Sequence, residues 1–563
     1  MRREVSVVNK KVCSFPILFA LLALLIGTCA VVFPASAQAA PTSTGSITVS
    51  GTVARSYDAY QIFSANVVDG DSDAKIATDL AWASDAVRDA ALPVLHSAGM
   101  PNSQTTAQEA AEWLNTDSHL TSALSAQLAR SLQSSGAEPV ALNAGTTAEL
   151  PCGYWLIVAD DDAIAQNEAG TAPIMALVGG SAVTVKPKAA TPKVAKHVLE
   201  DSTAAWQKAA DATVADDLYW RLSATVPAGL TAYDTYAVQF VDTMSAGLDP
   251  SRVAASMRVY VAAVADGGFD AVQTGKDGRA GTEPAKGWTD ITARCATKVA
   301  ADGKTFTVRT GDLIAALGGA DAFTAGARVV AVYNAPLNSA CSHGIAKGNP
   351  NEVYLRYPRS PFADQSGDAG FTRTPSDDAC AYTWDLALTK RGSDGDKPLA
   401  GAVLSIADDR GRTLAADGTW DAEGKATVTT GEDGRVTVSG VDSGKLEVRE
   451  LKAPKGYSAF EGTRSVTVKA EGLDVDQVAA AKPKLTITAE SPLRADSADG
   501  STGSLEASLI NTPTGTPPSI TTGGFMPSTG DMAMYAAAAA AVAGAALIVV
   551  ALLVKRGGGS HKE

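Results

Sequence analysis

The sequence predicts an all-β protein of tandem β-sandwich domains, the first of which carries a helical insertion. Three observations predict it: short alternating apolar and polar stretches recur along the chain, Gly-, Asp- and Pro-rich turns separate them, and one early region has helical spacing instead. The chain has 563 residues, enough for three or four domains between an apolar segment near each end.

The first 40 residues are predicted to be a secretory signal peptide. Four basic residues between positions 2 and 11 precede an apolar stretch at 15–33, and small residues at 35–39 offer a cleavage site. The mature protein is therefore expected outside the cytoplasm.

Residues 41–190 are predicted to form a β-domain with a helical insertion. Stretches 46–53 and 154–158 alternate as strands do, whereas 76–132 is rich in Ala, Leu, Glu and Gln with apolar residues at helical spacing. This domain has no Lys between positions 41 and 75, so we predict no Lys-derived cross-link from its first strand.

Two further β-domains are predicted, at 191–378 and 379–512. In the first of them, alternating stretches lie at 219–226, 236–241, 253–264, 305–309, 328–333 and 352–357, with a loose stretch at 358–378. Short strands at this spacing are typical of an immunoglobulin-like sandwich. Residues 513–525, rich in Thr, Pro and Gly, are predicted to be a flexible spacer.

The net charge excludes one class of partner, and the cysteines predict a disulfide. A formal net charge of −14 argues against a nucleic-acid partner, which requires basic surfaces. After loss of the signal peptide, four cysteines remain in an oxidising compartment, at 152, 295, 341 and 380, and Cys295 with Cys341 is the favoured disulfide. No motif predicts a metal or cofactor site.

Polar residues fall on predicted inward faces of the third β-domain. Alternate side chains of a strand share one face, and the apolar rows at 384–388, 446–448 and 505–509 end at Lys390, Glu450 and Asn511. Burial favours the neutral forms of an amine and a carboxyl, which amide formation needs: Lys390 as nucleophile, Glu450 as proton shuttle and ammonia leaving from Asn511. Alternatively, each residue ends a strand with its head in water.

The third β-domain resembles a collagen-adhesin B-type (Cna-B) domain with its E-box. The residues that carry the resemblance are Lys390, Pro398-Leu399-Ala400-Gly401-Ala402, Glu450-Leu451-Lys452-Ala453-Pro454-Lys455-Gly456-Tyr457 and Ile510-Asn511-Thr512-Pro513. The resemblance implies a spontaneous Lys390–Asn511 isopeptide bond with Glu450 as the catalytic residue. Leu451 departs from the family, which often has Thr there.

The domain at 191–378 has a similar set in Lys196, Asp242 and Asn351. The segments 192–196 (PKVAK), 240–248 (FVDTMSAGL) and 348–355 (GNPNEVYL) are similar to the middle domain of fimbrial backbone pilins. That similarity implies a Lys196–Asn351 bond with Asp242 as the catalytic acid. Asn349 is a rival acceptor, and a buried salt bridge or a set of surface residues is the alternative.

A lysine near the end of the first domain is expected to face outward. In Val183-Thr184-Val185-Lys186-Pro187-Lys188, Lys188 has the opposite parity to the two valines, and Pro187 limits further sheet pairing. The segment resembles the pilin motif of Gram-positive backbone subunits, in which the lysine accepts the next subunit, although Lys186 replaces the usual aromatic. A solvated linker lysine is the alternative.

The end of the chain, 526–563, resembles an LPXTG-like cell-wall sorting signal. It comprises Met526-Pro527-Ser528-Thr529-Gly530, an apolar run at 532–554 long enough to span a bilayer as a helix, and Lys555-Arg556, which should stay cytoplasmic. The resemblance implies sortase cleavage between Thr529 and Gly530. Met526 stands where Leu is commonest, and a plain transmembrane anchor is the alternative.

These resemblances imply a structural pilus subunit, not an enzyme, joined by sortase through Thr529 to Lys188 of the next copy. The implied partners are pilin-specific and housekeeping sortases, other copies of the chain, accessory or tip pilins, peptidoglycan and, as a further candidate, a host receptor or matrix. The implied location is a wall-anchored surface fimbria, after transient membrane anchoring. A monomeric sortase-anchored adhesin is the first alternative, and a wall-anchored hydrolase would need a paired catalytic constellation that the sequence does not offer.

Overall fold

A computed structural model describes residues 43–515, apart from 52–54, 72–73, 117, 161–163, 165, 188–190, 228–229, 264–271, 275–279, 285–286 and 325. The chain forms three successive β-domains, which confirms the predicted all-β class. Among the described residues, no helix is long and apolar enough to cross a membrane. The predicted signal peptide, Lys188 and the sorting signal lie outside these residues.

The first domain packs two sheets against each other and three helices against the outer face of the larger sheet. Its elements are β1 (Thr44–Val49), β2 (Ser56–Asp69), β3 (Lys75–Trp82), α1 (Asp85–Ser97), α2 (Ala107–Asn115), α3 (Ser122–Gln133), β4 (Val140–Asn143), β5 (Thr147–Pro151), β6 (Gly153–Ala159), β7 (Ile174–Val178) and β8 (Val183–Val185). The smaller sheet has the order β5-β1-β8, and the larger has β3-β2-β6-β7 with β4 beside β2.

Two apolar layers hold this domain together. Ile47 and Trp155 lie in the layer between the two sheets, and Phe63 and Leu128 lie in the layer between the larger sheet and the helices. The helices begin at side-chain caps, of which Thr106 with Glu109 forms a full capping box at α2.

The helical insertion is shorter than predicted. It begins at Asp85, because residues 75–82 form the edge strand β3, which pairs antiparallel with the 14-residue strand β2. A strand at a sheet edge is partly exposed on both faces, so its side chains lack the alternation that marks a half-buried strand.

The middle domain is a sandwich of two sheets around one core. Its elements are β9 (Val194–Glu200), β10 (Ala205–Gln207), β11 (Ala209–Asp211), β12 (Tyr219–Thr225), β13 (Gln239–Met244), α4 (Val253–Ser256), β14 (Arg258–Ala262), β15 (Val272–Thr274), β16 (Ala280–Pro284), β17 (Thr289–Asp290), β18 (Ala296–Val299), β19 (Thr305–Arg309), α5 (Leu313–Leu317), β20 (Arg328–Asn334), β21 (Asn349–Pro358), β22 (Phe371–Arg373) and β23 (Asp377–Tyr382). One sheet has the order β10-β9-β12-β20-β14-β17 and the other β11-β23-β21-β13-β19-β18, with β22 beside β21. Trp220, Phe240, Phe306 and Leu355 lie in the core between them.

Two parts of the middle domain differ from the sequence prediction. The stretch predicted as one strand at 253–264 begins with the short helix α4 and becomes the strand β14 only at Arg258. The stretch predicted as loose, 358–378, contains β22 and the start of β23, and β23 pairs with β21. The middle domain therefore ends at about residue 383 instead of 378.

The third domain is a second two-sheet sandwich. Its strands are β24 (Trp384–Gly392), β25 (Val403–Ala407), β26 (Thr413–Leu414), β27 (Trp420–Asp421), β28 (Val428–Thr429), β29 (Arg435–Val441), β30 (Gly444–Lys452), β31 (Tyr457–Ser458), β32 (Thr463–Glu471), β33 (Lys484–Ala489), β34 (Leu493–Asp499) and β35 (Ser504–Pro513). One sheet has the order β29-β24-β35-β31 with β34 beside β35, and the other has β27-β26-β25-β30-β32-β33 with β28 beside β25. The first strand β24 and the last strand β35 pair in parallel, and Trp384, Leu404 and Val448 are buried between the sheets.

The predicted Cys295–Cys341 disulfide is wrong, because both residues are free thiols. Cys295 follows a short turn before β18, where its Sγ donates to the Ile291 carbonyl at 3.3 Å. Cys341 lies in the connection between β20 and β21, with its Sγ 3.6 Å from Nε2 of His343. His343 in turn faces Asp385 of the third domain at 2.8 Å, so Cys341 belongs to the junction between the two domains.

Candidate cross-link sites

In the third domain, Lys390, Glu450 and Asn511 come together in the core. Lys390 of β24 lies opposite Leu509 of the parallel neighbour β35, so Asn511, two residues further on, shares its face. Glu450 reaches them from β30 in the facing sheet. The Lys390 Nζ donates to Asn511 Oδ1 and lies 3.0 Å from Glu450 Oε1, and Asn511 Nδ2 donates to the same Oε1 at 2.9 Å.

The third-domain site excludes water, and its carboxyl is held in place. The side chains of Lys390 and Glu450 are both 0% exposed. The second Glu450 oxygen, Oε2, accepts the backbone N–H of Phe460 at 3.1 Å, and the Phe460 ring lies 5.9 Å from the Lys390 Nζ. Burial lowers the pKa of Lys390 to about 8, although the nearby Glu450 carboxylate opposes this shift. At this pKa roughly a tenth of the Lys390 amine is neutral at pH 7, far more than for an ordinary lysine.

In the middle domain, Lys196, Asp242 and Asn351 also meet, in a different arrangement of strands. Lys196 is on β9 of one sheet, whereas Asp242 and Asn351 are on the neighbouring strands β13 and β21 of the other. All three residues are fully buried. The Lys196 Nζ donates to Asp242 Oδ2. The centres of the Trp220 and Tyr333 rings each lie 5.5 Å from the same Nζ.

Burial moves both ionisable groups of the middle-domain site towards their neutral forms. It lowers the pKa of Lys196 to about 8 and raises the pKa of Asp242, and in each case the partner's opposite charge counters the shift. Asp242 Oδ1 and Asn351 Oδ1 are buried oxygens without a hydrogen-bond partner among the described residues.

Sequence reasoning missed one residue of this site, Tyr333 on β20. Its hydroxyl accepts from Lys196 Nζ at 3.0 Å and from Asn351 Nδ2 at 2.8 Å, and donates to Asp242 Oδ2 at 3.1 Å. The signal was available, since Tyr333 continues the inward row of Val329 and Ala331, and a buried tyrosine hydroxyl needs a polar partner.

The rival acceptor Asn349 has other partners. Its Nδ2 donates to the carbonyls of Ser342 at 2.9 Å and Ala381 at 3.2 Å, and its Oδ1 accepts the backbone N–H of Ser342 at 2.8 Å. Asn349 thus fastens a loop to β23, whereas Asn351 shares the Tyr333 hydroxyl with Lys196. The geometry therefore favours Asn351 as the acceptor.

The structure describes only the approach to the predicted pilin-motif lysine. Strand β8 pairs in parallel with β1, Val185 is buried, and the Lys186 that follows it is exposed. Lys188 and the segment Met526 to Gly530 lie outside the described residues, so their roles stay predictions. Within the described ranges, no group of three or more His, Cys, Asp or Glu side chains could hold a metal ion.

The fold and the two sites thus define a class of protein: a multidomain β-sandwich with a lysine, a carboxyl and an asparagine buried together in each of two cores. They are in direct contact in the third domain and joined through a tyrosine hydroxyl in the middle domain. Residues 385–482 match the family model "SpaA: Prealbumin-like fold domain". Over 143 residues the chain is 31% identical to the trypsin-resistant surface T6 protein of Streptococcus pyogenes serotype M6. That match covers 24% of this chain and 24% of the relative, so the chain spans about a quarter of the length of the relative it matches.

Solved structures with similar folds include two pilins. The T6 backbone pilin of serotype M6 Streptococcus pyogenes is 17% identical, with 84% of this chain and 98% of that chain covered and a TM-score of 0.45. The major pilin SpaA of Corynebacterium diphtheriae, described as pointing to a modular pilus assembly with stabilising isopeptide bonds, is 14% identical. There the coverage is 83% of this chain and 99% of that chain, and the TM-score is 0.37.

Proposed function

We propose that this chain is the structural subunit of a covalently polymerised surface pilus in a Gram-positive bacterium, with a Lys–Asn isopeptide bond inside its middle and third domains. The observation that carries the proposal is the presence of two dry sites that each hold a lysine, a carboxyl and an asparagine. The three groups are in direct contact in the third domain, and in the middle domain the asparagine is joined to the other two through the Tyr333 hydroxyl. A stable fold does not need a lysine in its core, because burying an ammonium group is unfavourable.

The third-domain reaction is an intramolecular transamidation. The neutral Lys390 Nζ attacks Cγ of Asn511, and the proton that leaves Nζ passes through Glu450 Oε1 to Nδ2, since this oxygen contacts both nitrogens. The Cγ–Nδ2 bond then breaks, and ammonia leaves. Glu450 ends in its starting state, and because the bond persists, each carboxyl acts once on its own chain instead of turning over a substrate.

Loss of ammonia gives the cross-links a direct test. The wild-type secreted chain should be lighter than its sequence mass by about 34 Da, which is one ammonia for each of two bonds. Replacement of Lys390 or Lys196 by Ala should each remove about 17 Da of that deficit, because each removes one nucleophile. The matched control is Lys397→Ala, an exposed lysine whose loss should leave the deficit unchanged. A wild-type chain at its full sequence mass would refute both bonds.

The polymerising step joins two parts of the chain that the sequence singles out. We infer that a sortase cleaves after Thr529 and transfers its carbonyl to the Lys188 amine of the next copy. The similarity to a surface T6 protein and the match to the SpaA prealbumin-like model support this inference. Pilin-specific and housekeeping sortases, accessory or tip pilins and peptidoglycan would then be partners, and a wall-anchored fimbria that supports adhesion would be the location.

Polymerisation is tested by removing the acceptor lysine. In cells that carry the cognate sortase, Lys188→Ala should abolish the high-mass ladders that covalent polymers give on denaturing gels. Lys186→Ala is the matched control, because Lys186 is an exposed lysine two residues away, and it should leave the ladders intact. If the ladders persist in Lys188→Ala, a residue other than Lys188 is the acceptor, and if they are absent from wild type, the chain is a singly anchored adhesin instead.

A further inference from the structure

The two cross-link sites differ in how the carboxyl reaches the leaving nitrogen. In the third domain, Glu450 Oε1 contacts both reacting nitrogens directly, at 3.0 Å from Lys390 Nζ and 2.9 Å from Asn511 Nδ2. In the middle domain, the carboxyl belongs to an aspartate, which is one methylene shorter, and Asn351 Nδ2 hydrogen-bonds the Tyr333 hydroxyl instead, at 2.8 Å. That hydroxyl lies 3.1 Å from Asp242 Oδ2, so it occupies the place between the carboxyl and the leaving group.

We propose that Tyr333 is a further catalytic residue of the middle domain, whose hydroxyl relays a proton from Asp242 to the departing Asn351 nitrogen. The inference rests on the proposed isopeptide reaction and adds a residue that neither the sequence motifs nor the third-domain site contains.

The relay balances in atoms and charge. The lone pair of the neutral Lys196 Nζ attacks Cγ of Asn351, and Asp242 Oδ2 takes the proton that Nζ loses. Asp242 then returns this proton to the Tyr333 oxygen as the tyrosine passes its own proton to Nδ2. The Cγ–Nδ2 bond breaks, ammonia leaves and the amide forms, while Asp242 and Tyr333 regain their starting states.

The direction of the Asn351–Tyr333 hydrogen bond reverses during this reaction. In the amide, the Nδ2 lone pair is delocalised, so Nδ2 can only donate, as it does in the structure. Once Nζ has added to Cγ, the conjugation is lost and Nδ2 becomes a basic amine that accepts a proton. A hydroxyl suits this position, because it can both donate and accept.

Tyr333 acts as a neutral phenol, not as a phenolate. Burial and the neighbouring Asp242 raise the pKa of its hydroxyl well above the ordinary value, so the group gives up one proton only as it gains another. Its ring is held by packing against Phe306, with 4.8 Å between ring centres and an angle of 75° between the rings. Tyr333→Phe therefore removes the hydroxyl and keeps the ring contact.

The test follows the two bonds separately within the same full-length chain. After a pulse of synthesis, timed samples are digested, and mass spectrometry quantifies the branched peptides that join Lys196 to Asn351 and Lys390 to Asn511. In Tyr333→Phe, we expect formation of the first peptide to slow at least about 100-fold, the lower range for loss of a general acid–base group. The second peptide should form at the wild-type rate and serves as the internal control.

A rescue variant separates proton relay from structural support. In Asp242→Glu/Tyr333→Phe, the longer carboxyl can reach Nδ2 as Glu450 does in the third domain, so we expect the Lys196–Asn351 peptide to recover. Thermal unfolding of Lys196→Ala with and without Tyr333→Phe reports the effect of the hydroxyl on the unlinked fold, and the two should be similar.

Three outcomes would overturn the inference. A wild-type rate in Tyr333→Phe would make the hydroxyl dispensable and leave the isopeptide proposal standing. A fall in yield that comes with unfolding and is not rescued by Asp242→Glu would make Tyr333 structural. Absence of the Lys196–Asn351 peptide from the wild-type chain would refute the middle-domain bond itself, and the relay with it.

Discussion

A lysine ammonium in a dry protein interior is unfavourable, and both cross-link lysines are fully buried. Conversion of the amine to an amide would remove the charge permanently, so the proposed bond would relieve this penalty. Strand parity in the sequence predicted Lys390, Glu450 and Asn511 as a set, because each ends an inward apolar row. The same rule did not single out Tyr333, since an aromatic residue in an inward row is ordinary core until its hydroxyl partners are known.

At the residue scale, an unlinked third domain should become more stable as pH rises. The Lys390 amine has a pKa of about 8 in the unlinked folded chain against an ordinary value of 10.5, and Asn511→Ala keeps this amine because it removes the acceptor. Between these values the unfolded chain binds more protons than the folded one, so the free energy of unfolding should increase from about pH 8 to about pH 10.

Urea titrations at several pH values measure the free energy of unfolding of Asn511→Ala. The same measurement on Lys390→Met/Asn511→Ala gives the pH dependence of all other groups, which is subtracted. The wild-type domain, in which the proposed bond would make the nitrogen an amide, should lack the increment. If the free energy of unfolding had the same pH dependence in the single and the double variant, the lowered pKa of a buried Lys390 amine would be contradicted.

At the scale of elements, the sequence predicted the strands that alternate cleanly and missed strands that do not. The stretch 305–309 forms a strand over the residues predicted, because it alternates cleanly with one face buried. Strand β23 escaped prediction, since its residues Asp377 and Asp378 are polar at the start of a loop-like sequence. It is held by partners distant in sequence: it pairs with β21 and β11, and Asp377 accepts the backbone N–H of Lys196 at 2.6 Å.

A pair of fragments tests the corrected boundary. The fragment 191–383 contains β23 and should unfold cooperatively, whereas 191–378 lacks most of it and should have a lower midpoint in urea. The physical reason is that truncation at 378 exposes the core and removes the buried residues Ala379 and Ala381. Equal midpoints for the two fragments would restore the boundary at 378.

At the scale of the whole molecule, the two bonds would divide tension differently. In the third domain, Lys390 and Asn511 are on the first and last strands, so a bond between them carries a pull across nearly the whole domain. In the middle domain, the bond would tie one sheet to the other, with β22 and β23 following the acceptor strand. A fibre of such subunits would extend little under load, because the tension would pass through the covalent cross-links and not through the chain segments that they enclose.

Single-molecule pulling from both ends of the ectodomain tests this arrangement. The wild-type third domain should give no unfolding step. In Asn511→Ala, unfolding should release the chain between positions 390 and 511, which is 121 residues or about 400 Å of contour length. Lys390→Ala should give the same step, because it removes the same bond from the other side. A wild-type step of this length would contradict the third-domain cross-link.

The sequence by itself determined the all-β class, the succession of domains and the polar residues of both triads, because alternation and turn chemistry are local properties. The tertiary structure decided which of these residues meet. It placed Asn351 and not Asn349 beside the Tyr333 hydroxyl that also binds Lys196. It also left Cys295 and Cys341 as free thiols and assigned β23 to a sheet of the middle domain. Each of these outcomes depends on contacts between segments far apart in the chain, and spacing in the sequence carries no information about such distances.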